Sequence, residues 1–240
     1  MKGEPDIHRL ERRGTSMTMS ENSKYQLPFL LLGFAAILLL WNTPLVYPVK
    51  IFTVFLHELC HGLAAVLTGG RIVSIKVTAD QGGLATTAGG WPLLIVPAGY
   101  LGSMLFGGLI LLGASRTKAD RAISLFIGIT VAGVTLLFVR NLFGFAFGLA
   151  FAAGMAAMGR WGGTALNDFV LRLLGLTSIL YAVIDIYSDL IVRTVPCSDA
   201  SAMSRMLFGP PAMWGVLWML TALAAAAVFL RLSFKGKRSA

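Results

Sequence analysis

The stretch Phe55-Leu-His-Glu-Leu-Cys-His-Gly62 places two histidines four residues apart, with a glutamate directly after the first. On a helix, positions four apart share a face, so His57 and His61 can turn a ring nitrogen each toward one metal ion. Glu58 sits about 100° further round, placed to meet a water at the metal rather than to close the coordination shell. Two histidines and one more carboxylate would leave a fourth position open, which is the layout of a catalytic zinc site. Such a site lowers the pKa of its water. Glu58 would accept that proton as the water attacks a peptide carbonyl, then pass a proton to the leaving amine. The pattern therefore implies Zn2+ as cofactor, His57 and His61 as ligands, Glu58 as catalytic base and peptide hydrolysis as the reaction.

The motif gains weight from its surroundings. The chain has three histidines, and two of them are here; His8 lies in a polar N-terminal stretch. No glutamate occurs between Glu21 and Glu58, and none follows Glu58. Three adjacent polar or ionisable groups in an apolar helix cost on the order of several kcal/mol unless something compensates them. The bland alternative is a buried polar cluster that bonds only to neighbouring helices.

With no histidine left, the third ligand should be a carboxylate. Asp80 and Asp120 fall in loops, and Asp168 opens an apolar run, where a helix cap is the ordinary role. Asp199 falls in the link after that run. Asp185 and Asp189 remain, in Tyr181-Ala-Val-Ile-Asp-Ile-Tyr-Ser-Asp189. Asp185 has the more apolar flanks and the greater need of a cation, so it is the expected ligand. Asp189 is the second choice; it lies one turn on, four residues before Arg193, which could satisfy it without metal.

The elements that must position these groups are membrane helices. Of 240 residues, 56% are hydrophobic and 13% charged, and the mean hydropathy is +0.77. A soluble domain carries about 25% charged residues, so the charge deficit points to lipid. The net charge of +9 is scattered, apart from the short clusters Arg9–Arg12–Arg13 and Lys235–Lys237–Arg238. That pattern suits anionic headgroups and excludes a nucleic-acid-binding face. Two cysteines, Cys60 and Cys197, make no disulfide framework.

Spans of the required length are expected at 28–46, 49–68, 92–114, 122–139, 142–159, 167–192 and 211–231. The first is read as a retained span rather than a signal peptide. The break at Arg140-Asn141 is short enough for a re-entrant hairpin, so the count is six or seven. The fold class is an all-α polytopic membrane protein with a short β-hairpin or re-entrant segment after the metal helix. The expected domain is 27–232, between a polar tail (1–26) and a basic tail (233–240).

The hairpin is read from Arg71-Ile-Val-Ser-Ile-Lys-Val77, which alternates β-branched and polar residues, from a turn at Gly82-Gly83, and from a return strand over Leu84–Thr87. An open strand edge there could hold a substrate extended by strand addition, with Gly82 and Gly83 in contact with it. The plain alternative is a connecting hairpin. Asn141 and Asn167 could each polarise the scissile carbonyl, and spacing selects neither.

The motif F-L-H-E-L-C-H-G-L-A-A-V-L-T-G-G-R (55–71), the stretch G-G-L-A-T-T-A-G-G (82–90), P-A-G-Y-L-G (97–102) and the late Asp185 together resemble the site-2-protease-type intramembrane zinc metalloproteases. The resemblance covers most of residues 50–200. It implies zinc on His57, His61 and a late aspartate, Glu58 as base, and membrane-spanning protein substrates. Asp185 is followed by Ile186 rather than standing in the Asn-Pro…Asp-Gly setting of better-known members. There is no room for an inserted PDZ domain, so the likeness is to a compact subgroup. The expected location is a multi-pass protein of the cell (plasma) membrane. The competing readings are a non-catalytic zinc protein that binds membrane partners, and a transporter; a transporter would spread ionisable residues over several spans or repeat broken helices in two halves.

Overall fold

The computed structural model describes residues 32–33, 35–188 and 198–233. In chain order, α1 (Tyr47–Leu67) leads into the hairpin β1 (Arg71–Val77) and β2 (Gly83–Ala88). Then come α2 (Pro92–Arg116), α3 (Asp120–Phe138), α4 (Leu142–Trp161), α5 (Thr164–Tyr187), the short α6 (Asp199–Met206) and α7 (Pro211–Ser233). Among the described residues, all of these helices except α6 are long and apolar enough to cross a bilayer, six in total. The chain is an integral, multi-pass membrane protein. The expected first span falls partly outside the described residues; within it, residues 35–39 are helical. Both charged tails also lie outside them, apart from Ser233.

The break at 140–141 separates two full spans. Val139 and Asn141 are extended, and α3 and α4 pack side by side as an antiparallel pair. The hairpin follows the alternation seen in the sequence. β1 and β2 pair antiparallel, with Val77 opposite Gly83 and Ile75 opposite Ala85. The turn is Thr78–Gly82 rather than Gly82-Gly83. The Thr78 amide donates to the Gly82 carbonyl at 2.8 Å, and Gln81 takes φ 67°.

Helix α1 starts at Tyr47, and Pro48 sits in its first turn, where the fixed φ of proline is well suited. It stops where Thr68 Oγ1 donates to the Ala64 carbonyl at 2.7 Å and Gly69 adopts φ 85°, a left-handed C-terminal conformation. The helix bearing the histidines is the centre of the bundle. About 78% of its apolar window is buried, against 28% for α3, α4 and α7. The outer helices turn large side chains such as Phe126, Ile129, Leu137 and Leu220 outward. A shell of that kind is stable in lipid and not in water.

Two apolar clusters hold the bundle. One joins α1, the hairpin, α3, α4 and α5; the other joins α2, α5, α6 and α7. Small residues let backbones meet between spans. A Cβ on Gly107 of α2 would lie 2.5 Å from Ser178 Cβ, and one on Gly175 of α5 would lie 2.8 Å from the Gly107 carbonyl.

Candidate metal centre

His57 and His61 lie one helical turn apart on α1 with their Nε2 atoms 3.0 Å apart. His61 Nδ1 is 2.7 Å from the Ile95 carbonyl of α2. A carbonyl can only accept, so Nδ1 carries the proton and Nε2 presents its lone pair. A ligating histidine is commonly fixed in this way through its other nitrogen. Tyr100 packs its ring at 80° to that of His57, with centroids 4.8 Å apart.

The third group is Asp199. Its Oδ2 lies 3.2 Å from His57 Nε2 and 3.3 Å from His61 Nε2. These three residues form a cluster able to hold a metal ion. Burial alone would raise the Asp199 carboxyl; with no metal present, protonated imidazoles at His57 and His61 outweigh burial and hold it well below the usual carboxylate range. The group is an anion near neutral pH, as a ligand must be.

The donor set fits zinc. Bonds of about 2.0–2.1 Å in a tetrahedron put ligand atoms about 3.3 Å apart, close to the three separations here. The backbone also leaves space for an ion. A Cβ on Gly99 of α2 would lie 2.3 Å from His57 Nε2 and 2.4 Å from His61 Nε2. A glycine at 99 keeps open the volume that both nitrogens face.

Glu58 is buried on the same helix, against the start of β2. The Ala85 backbone amide bonds to its carboxylate. A Cβ on Gly83 would stand 2.2 Å from Glu58 Oε1, so the strand approaches the glutamate as closely as a backbone can. All these groups open on a cavity of about 350 Å3 between α1, the hairpin, α2, α5 and the start of α6.

Among the described residues the carboxylate beside the two histidines is Asp199 rather than the expected Asp185. Asp185 lines the cavity from α5 and acts electrostatically on His57, but it is not in the three-residue cluster. The carboxylate there is Asp199, which spacing had assigned to a link. After α5 the chain returns as α6, whose Ala200 and Met203 are buried in the second apolar cluster. That docking brings the first residue of α6 to the histidines. A faint signal was present: Ser198 caps α6, its hydroxyl accepting from the Ser201 amide at 3.3 Å, and Ser-Asp before a short polar run is a helix-start pattern. Asp189 and Cys197 lie outside the described residues.

Gly82 and Gly83 do line the cavity, beside Leu84 and Ala85. The two asparagines are engaged elsewhere. Asn141 bonds to the backbone of Val77, and Asn167 donates to the carbonyls of Met158 and Gly163 at 3.0 and 2.9 Å. Neither lines the cavity.

No curated protein and no solved structure matches the chain. A family model described as Peptidase M50B-like matches residues 30–229. That match spans the metal helix, the hairpin and the Asp199 region together, and the chain belongs to the Peptidase M50B-like family.

Proposed function

We propose that the chain is a zinc metalloendopeptidase of the bilayer, cleaving peptide bonds of membrane-spanning proteins with Glu58 as general base. The observation that carries this reading is the convergence of His57, His61 and Asp199 next to a buried glutamate in one cavity. Zinc in such a site supplies Lewis acidity and a water of lowered pKa. His57, His61 and Asp199 would hold it, and Gly99 leaves room for it. Glu58, held between its helix and the Ala85 amide, takes the proton of the attacking water and returns a proton to the leaving nitrogen.

Substrate presentation falls to the hairpin. β2 pairs with β1 on one side only, and its other edge has no strand partner among the described residues. A membrane helix hides its own carbonyls, so a substrate must be extended before cleavage, and strand addition along 82–85 would do this beside Glu58. A purely structural zinc site needs neither an open cavity nor a carboxylate at Glu58, which weighs against the non-catalytic reading.

The test is metal analysis of the purified full chain together with cleavage of reconstituted single-span peptides. About one zinc per chain is expected, and Glu58→Gln should retain it while turnover falls about 100- to 10,000-fold. A folded wild type without zinc, or a Glu58→Gln variant that cleaves at the wild-type rate, refutes the proposal.

A further inference from the structure

The outer edge of β1 is closed in an unusual way. Ile75 and Val77 are fully buried, so their backbone groups need partners. At Ile75 the main chain between α3 and α4 supplies them: Val139 forms a parallel bridge, and the Arg140 amide donates to the Ile75 carbonyl at 3.0 Å. That pairing cannot continue, because the chain turns into α4 at Leu142. Asn141 takes over with its side chain. The Val77 amide donates to Asn141 Oδ1 at 3.1 Å, and Asn141 Nδ2 donates to the Val77 carbonyl at 2.7 Å. A carboxamide carries an acceptor and a donor side by side, as a strand residue does; a carboxylate or a hydroxyl does not present that pair.

Val77 is also the residue opposite Gly83, and Gly83 is the residue packed on Glu58. A continuous set of contacts therefore runs from Asn141 through Val77 and Gly83 to the glutamate. A substrate strand added to the free edge of β2 would load the hairpin from the other side.

We propose that Asn141 is a positioning residue. Its carboxamide replaces a third strand at Val77 and holds the hairpin in place against Glu58. This rests on the peptidase reading above, in which Glu58 is the base. Asn141 acts only through the hairpin and does not reach the cavity.

Two variants test it in the purified full chain. Asn141→Ala removes the carboxamide. Gly144→Ala keeps it but displaces it, since a Cβ at 144 would lie 2.7 Å from Asn141 Oδ1 and 3.1 Å from the Val77 carbonyl. In both, backbone amides of 71–77 should exchange hydrogen about tenfold faster, while exchange in α2 and the zinc content stay at wild-type levels. With a fluorogenic single-span peptide in liposomes as probe, kcat should fall about 10- to 100-fold and KM should stay within about twofold. Unchanged exchange over 71–77 in both variants overturns the proposal, whatever the activity. So does faster exchange with wild-type kcat. Loss of zinc and of α2 protection together would show a general folding role and also overturn it. A zinc-loaded wild type that leaves the peptide uncut counts against the peptidase reading itself, and the exchange measurement then decides the anchor independently.

Discussion

Replacing Gly99 by alanine should weaken zinc binding about 100-fold without unfolding the chain. Gly99 is buried within α2 and lies in ordinary helical backbone, where alanine is the better helix former by about 0.8–1.0 kcal/mol. The backbone therefore favours the substitution and the site opposes it. The added Cβ would stand 2.3 Å from His57 Nε2 and 2.4 Å from His61 Nε2, whereas ordinary contact begins near 3.4 Å. Each ring must then retreat by about 1 Å, while a working metal site tolerates errors of about 0.2 Å in its bonds. His61 cannot retreat freely, because its Nδ1 is tied to the Ile95 carbonyl at 2.7 Å. A displacement of about 1 Å in such a site costs on the order of 100-fold, which corresponds to about 2.8 kcal/mol of zinc affinity. The assay is competition with a chromophoric chelator, with helix content and the thermal transition measured alongside. A Gly99→Ala protein that is folded and binds zinc as tightly as wild type would refute the reasoning. In that case the space beside the two nitrogens is not where the ion sits.

Three further outcomes follow from the same geometry. Asp199→Asn should strip the zinc under mild chelation, while Asp185→Asn should retain it and lower affinity by about tenfold or less through its more distant charge; the reverse order in zinc stoichiometry would restore Asp185 as the ligand. Alanine at both His57 and His61 should leave no bound zinc by elemental analysis, and a metal content near one per chain would place the ion elsewhere. Gly83→Ala should push β2 off Glu58, since its Cβ would meet Oε1 at 2.2 Å. Cleavage should fall about 100-fold with zinc retained, and wild-type turnover in that variant would show that the close approach is not needed.

The local chemistry was legible in the chain itself because it depends on short-range geometry. His57 and His61 share a helix face by virtue of spacing alone, and Glu58 follows from adjacency. The six apolar runs from 49 onward reappear as helices within a few residues in the described residues, since bilayer thickness and internal hydrogen bonding leave little freedom. Gly69-Gly70 ended the metal helix and Arg71–Val77 formed a strand, for local reasons of the same sort. The turn was placed too late in sequence, because Gln81 rather than a glycine took the left-handed position.

The third carboxylate was a different problem. Asp185 and Asp199 are 14 positions apart, and both reach the same cavity. Local sequence ranks them by how costly each would be when unpaired, which favours the one with apolar neighbours. The choice is made by where α6 docks, and that depends on Ala200 and Met203 finding a cluster built from α2, α5 and α7. The contact of Asn141 with the strand was hidden for the same reason, since its partner Val77 is 64 positions away. Spacing along one helix determined that His57 and His61 share a face with Glu58 beside them. Packing between elements distant in sequence decided which carboxylate stands beside the two histidines in the candidate metal site and which side chain meets the outer edge of β1.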